Sequence, residues 1–254
     1  MIRSGRTTMF VILLVYVILM FYYVSRARQG RAAFIRRVAG LDALDEAIGR
    51  ATEMGRPIHY TMGLQDFEAQ TFASFEILRY AATQAARLDV PIIVSNYRPQ
   101  VHPVTEEIVR SAYIAEGKPE AYKPDNVRYL SDQQLAYATG VIGIIEREKV
   151  AANLLFGPFY AESLLFAETG QKVGAIQIAG TTMTAQLPFF VAVCDYTLIG
   201  EELYAAGAYL SRNPVQLGSL STQDVGKLFA ITVIVLGTVM STMGSKFLSD
   251  LLAR

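Results

Sequence analysis

Two long apolar runs enclose the rest of the chain. The first covers residues 8–24 and the second covers residues 228–243. Each approaches the length that a helix rising 1.5 Å per residue needs to cross a hydrocarbon core of ~30 Å, so the pattern predicts two transmembrane helices. A signal peptide is the alternative for the first run, but a basic segment follows it instead of a small-residue cleavage site. A buried core helix is the alternative for the second.

Strand and helix patterns alternate five times between the two runs. The predicted strands are residues 58–62, 90–94, 126–130, 151–156 and 173–179. The predicted helices are residues 42–54, 68–88, 103–116, 131–147, 159–168 and 187–210. This alternation predicts an α/β fold, a Rossmann-like three-layer parallel sheet of about five strands flanked by two transmembrane helices. The likeness is architectural only, because no Gly-rich dinucleotide or phosphate loop follows a predicted strand.

The same pattern divides the chain into six segments. These are an N-terminal transmembrane helix (1–25), a basic juxtamembrane segment (26–41), a soluble α/β domain (42–210), a linker (211–226), a C-terminal transmembrane helix (227–246) and a tail (247–254). Five arginines follow the first helix: Arg26, Arg28, Arg31, Arg36 and Arg37. The positive-inside rule therefore predicts a two-pass protein with its domain in the cytoplasm. The arginines either lie on anionic headgroups or form a basic linker that only sets topology.

The end of the α/β segment is unusually apolar. Residues 187–194 have no polar face, and a helix that is apolar all round is buried on all sides. Because a single sheet covers only one side of a helix, we expect a second subunit or the membrane surface on the other; a helix enclosed within its own domain is the alternative. Gly237 and Ser241 share one face of the second membrane helix and would let another helix approach closely. The predicted homo-oligomer interface comprises Phe189, Phe190, Asp195, Glu202, Gly237 and Ser241.

Charge and composition exclude several classes of function. The chain is formally neutral, but residues 38–226 carry 13 Lys/Arg against 22 Asp/Glu. An acidic domain lacks the basic face that nucleic-acid binding requires. Cys194 is the only cysteine, so no internal disulfide is possible, and two histidines leave little material for a metal site. We therefore expect neither a metal nor a cofactor.

One candidate ligand site lies where predicted parallel strands end. Ligands of open α/β sheets bind beyond the carboxyl ends of the strands. Gly180, Thr181 and Thr182 follow one strand, and their N–H groups could face an anion. Asn96 and Arg98 follow another strand and could assist. Ordinary turn chemistry, with Gly for the bend and Thr for capping, explains the same residues and is the favoured interpretation.

Acidic residues within the apolar segment offer a third, less favoured interpretation. A buried carboxylate needs a partner, and one that lacks it can act as an acid or base. No nucleophile with an obvious base stands near them, so salt bridges between subunits explain them equally well. The candidates are Glu162, Glu168, Asp195, Glu201 and Glu202.

Several stretches resemble a family of uncharacterised prokaryotic membrane proteins that is defined by a domain of unknown function. The resemblance lies in residues 41–55, 159–165, 174–181 and 195–204. The resemblance implies that the protein lies in a prokaryotic plasma membrane. It assigns no catalytic residue to this chain. The preferred hypothesis is a structural or scaffolding membrane protein whose partners are lipids, further copies of itself and a larger membrane complex. A nucleotide- or anion-binding membrane module is the alternative, and a hydrolase or transferase is the third.

Overall fold

A computed structural model describes residues 7–31, 39–64 and 66–246. Arg36, Arg37 and the tail at 247–254, all named above, lie outside these residues. The chain forms two compact units, one of residues 36–211 and the other of residues 1–35 with 212–254. The first is an α/β unit and the second a helical unit, and each is described by itself.

The α/β unit is built on a six-stranded sheet. Its strands are β1 (Ile58–Thr61), β2 (Ile92–Asn96), β3 (Val127–Tyr129), β4 (Ala152–Phe156), β5 (Ile176–Thr181) and β6 (Tyr196–Ile199). All neighbours pair in parallel, in the order β3-β2-β1-β4-β5-β6. The predicted α/β class and parallel sheet are confirmed, with one strand more than expected.

Helices cover both faces of the sheet. They are α2 (Ala39–Met54), α3 (Ala69–Arg87), α4 (His102–Ala115), α5 (Gln134–Glu148), α6 (Glu162–Val173), α7 (Leu187–Val193) and α8 (Glu202–Ser211). One hydrophobic core joins the sheet to α2, α3, α4 and α8, and a second joins it to α5, α6 and α7. Strands with apolar residues on both faces are what a parallel sheet covered on both sides requires.

The extra strand corrects the predicted helix at 187–210. The chain leaves helical geometry at Cys194, which is extended with ψ 148°. Strand β6 follows, and Gly200 turns the chain into α8 with φ +59°. Periodicity cannot separate short apolar stretches of helix and strand, and the β-branched Thr197 and Ile199 favour a strand here.

The helical unit contains α1 (Thr7–Arg28) and α9 (Pro214–Thr242). With 22 and 29 residues, both are long and apolar enough to cross a membrane. The predicted linker at 211–226 is helical from Pro214 onward, which corrects that expectation. The Asn213 side chain accepts the Val215 N–H at 2.9 Å, and a proline at the first helical position suits a helix start.

Small residues of α9 bring it close to α1. A Cβ on Gly218 would lie 2.6 Å from Val24 Cα, and one on Gly226 would lie 3.0 Å from the Tyr16 ring. Thr222, one turn from each glycine, is buried. This stripe differs from the predicted small-residue face, of which Gly237 is half-buried and Ser241 exposed. Gly218, Thr222 and Gly226 form the contact because two helices pack closely only where small residues let their backbones approach.

Candidate functional site

The crevice between β1 and β4 is the position at which the strand order reverses, and open α/β sheets bind ligands there. In this chain the backbone itself crosses that crevice. The Leu64 N–H donates to Pro158 O at 2.9 Å across it, and the Gly157 N–H donates to Gly180 O at 2.9 Å on the neighbouring β4–β5 side. Leu64 and Phe159 are buried beside this junction. The strand exits therefore pack against each other at this edge.

The predicted anion donors at the end of β5 already have partners. The Thr182 N–H donates to Gln70 Oε1 at 3.0 Å. The Met183 N–H donates to Thr181 Oγ1 at 3.1 Å, and Thr181 is fully buried. These contacts are the turn and capping chemistry that the sequence offered as the simpler explanation.

The other half of the predicted site lies at the end of β2. Asn96 Oδ1 accepts from Thr105 Oγ1 at 3.1 Å, and Asn96 Nδ2 lies 3.3 Å from His102 Nδ1. The Arg98 guanidinium stacks 4.9 Å from the centre of the Tyr97 ring. Its Nε is buried and makes no hydrogen bond within the described chain. Arg98 is thus a predicted ligand-binding residue with a buried side-chain donor that no described residue uses.

The structure does not bring these two halves together. Strands β1 and β4 lie between β2 and β5. Three strand spacings of ~4.8 Å separate the strands by about 14 Å. A small anion at Thr181 and Thr182 is therefore not in reach of Asn96 or Arg98.

A row of buried polar side chains crosses four strands and was missed by the sequence analysis. His59 Nδ1 lies 2.8 Å from Asn153 Oδ1, and His59 Nε2 lies 2.9 Å from Ser95 Oγ. Asn153 Nδ2 donates to Gln177 Oε1 at 3.0 Å, and Gln177 Nε2 donates to Ala167 O at 2.7 Å. We call Ser95, His59, Asn153 and Gln177 the polar row. The available signal was a polar residue at the second position of strands β1, β4 and β5.

Burial sets the protonation of this region. Loss of hydration lowers the pKa of His59 to about 4, with a smaller contribution from the charge of Arg128. Burial also raises the pKa of Tyr137, whose hydroxyl donates to Ser95 O at 3.1 Å and lies 2.5 Å from Thr61 Oγ1. The side chains of the polar row are at most 1% exposed, so we interpret them as organising the packing of the sheet.

The acidic candidates take different positions from those expected. Only Glu162 is buried, and its carboxylate accepts from Gln134 Nε2 at 2.7 Å and from the Tyr160 N–H at 2.6 Å. Asp195 accepts the Gln177 N–H at 2.7 Å, and Glu202 accepts the Ile199 N–H at 2.9 Å. The predicted helix at 187–210 would place Asp195 and Glu202, seven residues apart, on one face, but in the structure they flank strand β6.

Among the described residues, neither the Cys194 thiol nor a cluster of His, Cys, Asp and Glu side chains forms a reactive centre. Burial raises the pKa of the Cys194 thiol to about 12, so it is not a thiolate nucleophile near neutral pH. Across the described ranges, no three His, Cys, Asp or Glu side chains lie close enough to hold a metal ion.

Helix α7 carries the most distinctive surface of the α/β unit. Phe190 is fully buried, and its ring packs edge-on against Phe159 at 5.4 Å. Phe190 therefore belongs to the core of its own domain, which corrects its placement at a subunit interface. The opposite side of α7 is apolar and exposed, and it consists of Pro188, Phe189, Val191 and Ala192. We call these four residues the α7 outer face.

A family model for DUF6754, a domain of unknown function, matches residues 1–252. The chain belongs to this family. The match confirms the resemblance to a family defined by a domain of unknown function, and it extends over both apolar helices as well as the α/β unit of the DUF6754 chain. No curated protein matches the chain, and no solved structure does.

Proposed function

We propose that the chain is a membrane-anchored scaffold whose α/β domain assembles with further copies of itself. The α7 outer face is the observation that carries this proposal. Val191 is 56% exposed and Phe189 is 40% exposed, in a helix whose other side is packed in the core. Contiguous exposed apolar residues of this kind mark interaction surfaces.

Strand β6 continues the exposed apolar surface beyond α7. Ile199 is 52% exposed, and β6 is the last strand of the sheet. The Glu202 carboxylate accepts a hydrogen bond from the Ile199 N–H at the end of this strand. A charged group at an edge strand disfavours edge-to-edge strand pairing, so the assembly is expected to use side-chain packing.

A second copy of the chain is the occupant that membrane anchoring favours. Two apolar helices would confine every copy to one plane and hold its domain at the same face of the bilayer. Confinement raises the effective concentration of identical domains and so strengthens an apolar contact between them. Exposed arginines at the end of α1 support a cytoplasmic domain in a prokaryotic plasma membrane, namely Arg26, Arg28 and Arg31.

The test compares Val191→Asp with Leu135→Asp in the full chain. Both positions are exposed apolar residues, and Leu135 lies on α5 with an exposure of 80%. The protein mass in mild detergent is measured by light scattering. We expect a multiple of 28.0 kDa for the native chain and for Leu135→Asp, and a smaller assembly for Val191→Asp.

Two results would contradict the proposal. A native mass of 28.0 kDa at micromolar concentration would remove self-assembly altogether. An undiminished mass for Val191→Asp, with an unchanged melting temperature, would show that the α7 outer face is not the contact. The melting temperature guards against confusing lost assembly with lost folding.

Arg98 supports a second candidate function, the binding of an anion such as a nucleotide phosphate at the end of β2. Its buried, unbonded Nε is the specific observation, and Asn96 and His102 lie beside the same strand end. A ligand that binds only the folded state raises its stability by RT ln(1 + [L]/Kd). Millimolar nucleotide or phosphate should therefore raise the melting temperature of the native chain but not that of Arg98→Met, and equal behaviour of the two proteins would reject this candidate.

A further inference from the structure

The two apolar helices are packed out of register. Gly218 lies against Val24. Gly226 lies against Tyr16, so α9 runs antiparallel to α1. Tyr16 is the centre of the first apolar run, at 8–24, whereas the second apolar run is centred about 9 residues, or ~14 Å, beyond Gly226. A membrane centred on one run is therefore not centred on the other.

This register places two ionisable side chains of α9 inside the membrane. Asp224 and Lys227 lie within ~3 Å of the level of the α1 centre. With the membrane centred midway between the two runs, Asp224 lies ~10 Å from the midplane, inside a half-thickness of ~15 Å. Centring it on the second run instead leaves residues 17–24 of α1 outside the hydrocarbon. A placement that keeps most of α1 embedded thus puts Asp224 at hydrocarbon depth.

Asp224 faces away from α1. It is two residues from Gly226, which packs against α1, and so lies about 200° around the helix from it. Its side chain is 75% exposed, and its Oδ1 lies 3.2 Å from the Lys227 ammonium. Ile231, one turn beyond Lys227, continues this side of α9 and is 59% exposed. Ionisable residues at hydrocarbon depth face other protein or a water-filled cavity, so this side of α9 requires a cover.

We propose that this side of α9 packs against α9 of a second copy of the chain, with Asp224 of each copy beside Lys227 of the other. The inference rests on the membrane anchoring and self-assembly proposed above, and adds a contact within the membrane. Copies anchored with the same topology place their α9 helices parallel. Asp224 and Lys227 are then ~4.5 Å apart along the helix axis, within reach of a flexible lysine side chain.

Charge complementarity favours a second copy as the occupant. Each copy supplies one carboxylate and one ammonium on the same side of α9, so the contact is self-complementary. Lipid tails can pair with neither group, and a partner with charges of one sign would repel one of the two. Two copies of α9 keep the contact neutral and remove Asp224 from lipid.

Disulfide crosslinking in membranes tests this contact. The chain has one native cysteine, so the full chain is used in a Cys194→Ser background. Ile231→Cys places a thiol on the proposed contact, and Phe229→Cys places one in the groove that faces α1. After mild oxidation, we expect a linked dimer of twice 28.0 kDa for Ile231→Cys and little dimer for Phe229→Cys.

Charge exchange between chains then identifies the pair. Asp224→Lys alone, or Lys227→Asp alone, should lower the Ile231→Cys crosslink about fivefold, as loss of one interhelical polar contact in a membrane predicts. Coexpression of these two variants with different tags should restore a dimer that carries both tags. An ion pair confined to one helix cannot be restored in this way, because neither variant chain holds both charges.

A crosslink that coexpression does not restore would overturn the proposal, and so would equal crosslinking of Ile231→Cys and Phe229→Cys. If a doubly charged variant does not insert, Asp224→Asn decides, because an unchanged Ile231→Cys crosslink without the carboxylate would also overturn it. Failure of the proposed function looks different. A detergent mass that still falls in Val191→Asp leaves the α7 contact standing when the α9 contact fails, whereas a native mass of 28.0 kDa removes both.

Discussion

At the scale of single residues, the polar row explains how a sheet buried on both faces tolerates polar side chains. Asn153 Nδ2 donates to Gln177, which leaves Asn153 Oδ1 to accept from His59 Nδ1. His59 Nε2 then accepts the Ser95 hydroxyl hydrogen. Each ring nitrogen of neutral His59 thus has a partner, and an unpaired buried group would cost about 1–3 kcal/mol. These four side chains fix which strands lie next to one another.

His59 also predicts a pH dependence of stability. Its pKa is lowered from 6.5 to about 4 in the folded chain. Between these values the unfolded chain binds a proton at His59 and the folded chain does not. Neutral His59 therefore makes its full contribution to the free energy of unfolding above pH 6.5. This contribution is lost progressively as the pH falls towards 4, by about 3 kcal/mol in total.

Chemical denaturation of the full chain in detergent, at a series of pH values, measures this effect. His59→Gln is the matched control because glutamine can accept and donate hydrogen bonds but does not titrate. We expect the native chain to lose stability faster than His59→Gln as the pH is lowered from 6.5 to 4. Parallel curves for the two proteins would show that His59 is not kept neutral by the fold.

At the scale of elements, two glycines close the junction between β1 and β4. Gly63 has φ +77° and Gly157 has φ +142°. A Cβ on Gly63 would overlap Pro158 O, and a Cβ on Gly157 would overlap Met62 O. Only glycine satisfies both the backbone conformation and the close approach. The junction is therefore rigid, and it occupies the position at which related sheet architectures bind ligands.

A comparison of Gly63→Ala with Gly117→Ala separates the cost of the left-handed backbone conformation from the cost of the close backbone approach. Gly117 has φ +73°, nearly that of Gly63, but a Cβ there would meet no atom of the described chain within 4 Å. Gly117→Ala should cost about 1 kcal/mol for the left-handed conformation. Gly63→Ala should cost about 2 kcal/mol more, because backbone atoms must move. Equal losses in denaturant unfolding would show that the junction is not tightly packed.

The sequence predicts most elements because their periodicity is strong and glycine or proline bounds them. Strand β6 was missed because residues 187–210 are apolar throughout, so local pattern could not separate α7, β6 and α8. The start of α9 was missed because polar residues 214–226 suggested a linker, whereas packing of Gly218 against Val24 favours a helix. Arg98 and Thr181 lie far apart because strands β1 and β4 separate β2 from β5. No local sequence pattern specifies this strand order.

At the scale of the whole molecule, charge and hydropathy are distributed unevenly. Residues 38–226 are acidic, with 22 Asp/Glu against 13 Lys/Arg, and arginines cluster in the last turn of α1 and in the residues that follow it. Both ends of the α/β unit continue along the chain into the helical unit. An acidic domain between two apolar helices is expected to stay at one face of an anionic membrane, with α1 and α9 crossing it in opposite directions.

Cysteine labelling in intact cells tests this central claim most directly. In a Cys194→Ser background, Ser245→Cys places a thiol just beyond α9, and Glu53→Cys places one on the exposed surface of the domain. A membrane-impermeant maleimide should label Ser245→Cys in intact cells and Glu53→Cys only after permeabilisation. Labelling of both thiols only after permeabilisation, or of both in intact cells, would place them on one side of the membrane and contradict the two-pass arrangement.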